Sequence, residues 1–234
     1  MISKVTLACL LGASAVTAAE TLIFSDEFNT LNFNNWEHEL TMGGGGNWEF
    51  EWYVNNRTNS YVKNGVLYLK PTLTADCIGE TTMRTGTVDI WGASAADMCT
   101  GNAFYGCSRS AAASGNVINP IRSARLRSAK SFAFQYGRIE INAKLPQGDW
   151  LWPAIWLLPK HNEYGNWPAS GEIDIMESKG NGANYGGEGG NDCFGSTLHW
   201  GTNWDQNRFF LTHKTYKHTE SLGNAFHKYG LYWD

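Results

Sequence analysis

The segment Gly171-Glu172-Ile173-Asp174-Ile175-Met176-Glu177-Ser178 constrains the fold more than any other stretch of the chain. Acids alternating with apolar residues suit a β-strand, because successive side chains point to opposite faces and residues two apart share one. Glu172 and Asp174 therefore point one way, and Ile173 and Ile175 the other. Glu177 breaks the phase. An odd step from Asp174 would send it into the apolar layer, unless one extra residue near Ile175-Met176 bulges out and returns it to the carboxylate face. The spacing thus predicts a β-bulge. Taken alone, the alternation also fits a surface strand whose acids meet only water.

The preceding run, Trp150-Leu151-Trp152-Pro153-Ala154-Ile155-Trp156-Leu157-Leu158-Pro159, argues against that plainer reading. Trp152, Ala154 and Trp156 share one face of an extended chain, and Ile155 and Leu157 the other. Two flat aromatic surfaces beside an acid cluster suit a sugar-binding cleft, where rings supply contact area and the charges do chemistry. Glu172 and Glu177 lie about 13 Å apart along such a strand. With their side chains leaning inward, the carboxyl groups approach the ~5 Å separation used for double displacement at a sugar carbon.

These residues also carry a resemblance. The elements YGRIE, AKLP, WPAIWLLP and WPASGEIDIMES, running from Phe134 to Ser178, and STLHWG at Ser196 to Gly201, resemble glycoside hydrolase family 16. With its extra Met176 the strand is similar to the laminarinase-like branch, which holds endo-1,3-β-glucanases and the β-glucan recognition proteins related to them. The resemblance sharpens an all-β sandwich, expected from short strands between Gly- and Asn-rich loops, to a jelly roll with a carbohydrate-binding cleft across its concave sheet. It implies that Glu172 is the nucleophile, Glu177 the acid/base, and Asp174 a hydrogen-bonding support for the nucleophile. Trp152 and Trp156 then form the sugar platform, with Trp167, His199, Arg125 and Asn55 as further substrate contacts. Without the resemblance, His199 is a packed strand histidine and Arg125 an exposed strand charge. The implied activity is retaining endo-hydrolysis of laminarin-type β-1,3-glucans. Two alternatives stay open: a non-catalytic β-1,3-glucan recognition protein of innate immunity, and a β-glucan transglycosylase. Recognition proteins of this kind typically lack the catalytic acids, whereas this chain has all three. No cofactor and no catalytic metal is expected. Some relatives bind a structural calcium, and this chain has no EF-hand loop.

Residues 1–19 read as a secretory signal peptide, with Lys4, the apolar run Val5 to Leu11 and small residues up to Ala19. The run is too short to anchor the chain in a membrane. A secreted, monomeric protein is expected, with residues 20–234 as the family 16 catalytic domain. The resemblance implies further strands beyond Asp234, so that domain is expected to be incomplete. Removing the leader removes Cys9 and leaves Cys77, Cys99, Cys107 and Cys193, an even number that suggests two disulfides in three possible pairings. A zinc site would need CxxC or histidine ligand spacing, which these cysteines lack. A formal charge of −4 argues against nucleic acid and fits a neutral glucan better, while 11 tryptophans against 17% charged residues give more flat apolar surface than an average domain needs, many of those rings being core.

Strands are expected at Leu22 to Phe28, at Tyr61 to Lys63 and Val66 to Leu69 around an Asn64-Gly65 turn of type I′, at Arg138 to Leu145, at Phe194 to Trp200 and at Phe226 to Trp233. No stretch keeps a helical period. Gly43 to Gly46 lacks the lysine and helix of a phosphate loop and reads as a flexible loop at the cleft edge. Asn56-Arg57-Thr58 is a glycosylation sequon. If Asn56 carries a glycan, Asn55 is the sugar contact.

Overall fold

The computed structural model describes residues 20–111, 115–187 and 189–234. The expected signal peptide and Cys9 lie outside them. The chain divides into two compact units, one ending at Ser128 and one spanning Ala129–Asp234. Both are built from short strands.

In the first unit, β1 (Glu37–Glu39) pairs antiparallel with β9 (Arg125–Arg127). β2 (Glu51–Tyr53) and β5 (Thr72–Leu73) flank β8 (Ile121–Ser123), in parallel and antiparallel pairing respectively. β3 (Ser60–Lys63) and β4 (Val66–Leu69) form the expected hairpin, and β6 (Thr87–Asp89) pairs with β7 (Ser108–Ser110). Asn64 and Gly65, at φ 54° and 71°, are the two central residues of the hairpin turn. Both are left-handed, as type I′ requires, and this is why Asn-Gly is the usual pair there. The helices α1 (Ala75–Ile78) and α2 (Glu80–Thr85) are a turn or so each. Met42, Met83, Ala111 and Ile118 form the core. Among the described residues no helix is long and apolar enough to cross a membrane.

Three expectations need correction. Leu22 to Phe28 forms no strand: Leu22 and Ile23 are 80% and 65% exposed. Asp26 instead accepts from the Phe28 amide and from Trp36 Nε1, both at 2.8 Å. Phe28 itself stands at φ 49°, so side-chain bonding replaces a ladder. The glycine run is a tight turn rather than a loose loop. Gly44, Gly45 and Gly46 stand at φ 59°, 57° and 82°, and the Gly44 carbonyl accepts from the Asn47 and Glu49 amides at 2.8 and 3.2 Å. Those backbone angles explain the glycines. The third correction is to the sulfurs. Among the described residues one disulfide, Cys99–Cys107, closes a local loop at a Cα separation of 5.4 Å. Cys77 is an exposed thiol on α1 and Cys193 a buried one. The Cys193 sulfur fills the space over Gly189, where a methyl group would stand 2.2 Å from it.

The second unit holds β10 (Gly137–Ala143) paired with β15 (His227–Trp233), and a four-stranded antiparallel sheet in the order β11 (Ala154–Leu157), β12 (Glu172–Ser178), β13 (Cys193–His199), β14 (Lys214–Lys217). In β10, Ile139, Ile141 and Ala143 are half-buried while Arg138, Glu140 and Asn142 are exposed, the alternation of a one-sided strand. Leu145, Ile175, Met176, Leu222 and Tyr229 form the core, with Ile155, Leu157 and Phe194 packed against it.

The bulge is in β12. Asp174 pairs with Thr197 and Glu177 with Gly195, so three steps along β12 match two along β13. The slip recurs against β11, where Trp156 pairs with Asp174 and Ile155 with Met176. Its physical cause is packing. Ile175 and Met176, 3% and 1% exposed, are consecutive residues that both enter the core, which a regular strand cannot arrange. The carbonyl of Ile175 is met by the Ser196 hydroxyl at 2.7 Å, so the irregularity leaves no orphaned acceptor there.

Candidate active site

Register partners on neighbouring strands point to the same side of a sheet. The face that carries Glu172, Asp174 and Glu177 therefore also carries Ala154 and Trp156 from β11, and His199, Thr197 and Gly195 from β13. Trp152, just before β11, donates its indole N–H to Glu177 Oε1 at 2.9 Å. Trp167, in the loop before β12, donates to Glu172 Oε2 at 2.7 Å. Each outer carboxyl group thus has its own indole, which fixes its orientation.

Asp174 sits between them and is buried. Burial pushes its carboxyl up to about 8, helped by the charges of Glu177 and Glu172 and by a hydrogen bond with Glu172. Two carboxyl groups share a hydrogen bond only when one keeps its proton, and Asp174 is the one held in the protonated form. It therefore acts as a donor toward Glu172. His199 Nε2 stands 3.2 Å from Asp174 Oδ2, out of hydrogen-bond alignment, so that this oxygen is buried without a hydrogen-bond partner. Asn207 Nδ2 lies 2.8 Å from His199 Nδ1. With the amide donating, the ring proton sits on Nε2, toward Asp174. The His199 ring packs near those of Trp167 and Phe209, at centroid distances of 5.3 and 5.4 Å.

Glu177 is raised from its ordinary range by burial first and by the charge of Glu172 next. The Trp152 hydrogen bond and, less strongly, the imidazoles of His199 and His213 pull the other way. The arrangement separates roles. Glu172 accepts an N–H from Trp167 and the proton of Asp174, the surroundings of a charged acceptor, while Glu177 is held toward its protonated form. Such a pair can present a nucleophile and an acid to one bond.

Glu172, Asp174 and His199 each bring one donor atom within 4.8 Å of the others, a composition found at metal centres.

The chain has relatives among known proteins. Residues 92–187 match the family model described as XgeA-like, catalytic GH16 domain. A β-1,3-glucan-binding protein of Penaeus monodon is 52% identical over 93% of this chain and 59% of its own length. The glucan endo-1,3-β-glucosidase A1 of Niallia circulans is 29% identical over 93% of this chain and 27% of its own. The solved laminarinase catalytic domain of Thermotoga maritima superposes with a TM-score of 0.63 at 26% identity, covering 92% of this chain and 70% of that one. The chain is a laminarinase-like member of glycoside hydrolase family 16. This family 16 chain has the all-β jelly-roll fold of its laminarinase relatives. It spans 59% of the Penaeus protein and 27% of the Niallia enzyme.

Of the contacts expected from sequence, Trp152, Trp156, Trp167 and His199 stand with the carboxyl groups in the second unit. Trp152 is 55% exposed, so its ring presents a surface as well as a hydrogen bond. Arg125 and Asn55 belong to the first unit. Arg125 donates to Tyr53 Oη at 2.9 Å, lies 4.3 Å above the Tyr53 ring and stands 3.5 Å from Glu39. Asn55 donates to the Ala96 carbonyl at 3.0 Å, accepts from Arg57, and lines a cleft of about 280 Å³ with Trp52, Tyr53 and Arg122. Four residues of the second-unit site carry no motif: Asn207, Phe209, His213 and Trp204, whose ring lies 5.1 Å from that of Trp167. They come from the loops between β13 and β14, where no periodic pattern marks which side chain faces the sheet.

Proposed function

We propose that this protein hydrolyses β-1,3-glucan internally with retention of configuration. Glu172 attacks the anomeric carbon as the C–O bond to the leaving sugar breaks, and Glu177 gives its proton to the departing oxygen. Glu177, now a carboxylate, takes a proton from water. That water attacks the glycosyl ester, releases the sugar and restores Glu172. Asp174 keeps its proton throughout and, by hydrogen-bonding Glu172, steadies the charge when it returns. The supporting observation is the bulge that puts Glu177 back on the face of Glu172, with the two carboxyl groups in opposite surroundings. The leader-like residues at the start of the sequence support export. The test is to incubate the purified protein with laminarin, lichenan and carboxymethyl cellulose and to follow the first-formed anomer by proton NMR. Release of β-configured oligosaccharides from laminarin is expected, and an α-configured first product would overturn the retaining assignment.

A second reading has its own support. The Penaeus monodon relative is named as a β-1,3-glucan-binding protein, so recognition without turnover is the alternative. Binding of laminarin with no new reducing ends would decide for it. The three retained acids favour catalysis, since binding alone needs no group held in its acid form.

Trp156 serves either reading, because it pairs with Asp174 and faces the same side. Trp156→Ala is expected to weaken laminarin-oligosaccharide binding by about 1–3 kcal/mol through lost aromatic contact, measured by calorimetry on variant that unfolds cooperatively. Native affinity in that folded variant would make Trp156 a packing residue only.

A further inference from the structure

One histidine with no motif has an unusual setting. Glu177 pairs across the sheet with Gly195, and Gly195 pairs with Thr215, so the three form a row on the carboxylate face. Thr197, two residues from Gly195, shares that face. His213, just before β14, lays its ring over Gly195: a methyl group there would stand 2.7 Å from His213 Cε1. The ring is held on both sides, with Nδ1 2.9 Å from Thr197 Oγ1 and Nε2 3.1 Å from Thr215 Oγ1. A threonine hydroxyl rotates to donate or accept. This clip therefore satisfies either neutral tautomer and the doubly protonated ring equally well, and the imidazole can take up or lose a proton without orphaning a partner.

We propose that His213 is a positioning residue for Glu177, placing an adaptable positive charge beside that carboxyl group as it changes from acid to base. The inference rests on the reading of Glu177 as acid/base. The groups that face Glu177 define what His213 must balance. From the β11 side come uncharged Ala154 and the indole N–H of Trp152; from β12, the carboxyl groups of Glu172 and Asp174; from β13, His199. Burial and Glu172 both favour the proton on Glu177, which suits the first half of the reaction and hinders the second, when Glu177 must be a carboxylate. His213 acts against them. The absence of a side chain at Gly195 is what lets the ring approach.

Two variants test this. His213→Gln removes the charge and keeps hydrogen-bonding capacity. Gly195→Ala keeps the histidine and displaces its ring, at a residue whose backbone is not left-handed. In both, the alkaline limb of kcat/KM on laminarin is expected to move up by about 0.5–1 pH unit, less than a fully buried charge would give because the ring is solvent-exposed. Activity above the native limb then rises about three- to tenfold. Carbon-13 NMR of the Glu177 carboxyl group should show the same displacement without any turnover. If the native protein cuts no laminarin, the acid/base reading falls while the NMR titration still decides the His213 contact. Should Glu177 titrate at the same pH in native protein and in both folded variants, His213 is only a packing residue and the proposal is overturned.

Discussion

Glu172→Gln is expected to lower laminarin hydrolysis by a factor of about 10⁴ or more, the scale of loss when a nucleophile that acts as part of a unit is removed. The variant should fold, because Gln keeps the size of the side chain and can still accept from Trp167 Nε1 through its amide oxygen. Azide distinguishes the roles. In Glu172→Gln the small anion can enter where the carboxylate stood, giving an α-glycosyl azide. In Glu177→Gln it attacks the glycosyl–enzyme formed by an intact Glu172 and gives the β-azide. Glu177→Gln should also keep much of its activity on substrates whose leaving groups need no protonation. Product analysis by NMR reads both outcomes. Native turnover in Glu172→Gln, or the same azide anomer from both variants, would end the assignment.

Asp174→Asn should reverse part of the pH dependence of stability. The folded-state carboxyl titrates near 8, against an ordinary 3.8. Between these values the folded protein holds a proton that the unfolded chain has lost, so stability falls as pH rises through that window and levels off above it. Asparagine cannot ionise and can still donate an N–H to Glu172. The difference in unfolding free energy, variant minus native, should therefore grow in favour of Asp174→Asn from about pH 4 to about pH 8, by on the order of a few kcal/mol. Urea unfolding at several pH values measures this. A difference that stays constant across the range would mean that Asp174 ionises freely in the folded protein.

Much of this site is legible in the sequence. The odd step from Asp174 to Glu177 demanded a bulge, and one extra residue is present in β12. The shared face of Ala154 and Trp156 followed from strand period alone, as did the hairpin at Asn64-Gly65. Where the structure departs from the sequence pattern, a partner that the pattern does not mark is responsible. Leu22 to Phe28 has strand-forming residues, yet its first hydrophobic side chains lie open to solvent and Asp26 binds the local backbone instead. The cysteine count suggested two bridges, but one sulfur is spent in filling the space over Gly189.

What the sequence determined by itself was the chemistry of one strand and its flanks: which carboxyl groups share a face, where the ladder must slip, and which indoles stand beside them. These follow from a period of two residues, a property each segment carries alone. The tertiary structure decided the state of those groups. Asp174 keeps a proton because Ile175 and Met176 draw β12 into a core and because two other carboxyl groups crowd it. Asn207, Phe209 and His213 reach the site from loops whose paths are set by the pairing of β13 with β14. Burial, charge and loop position depend on which strands become neighbours, and no local pattern along the chain encodes that.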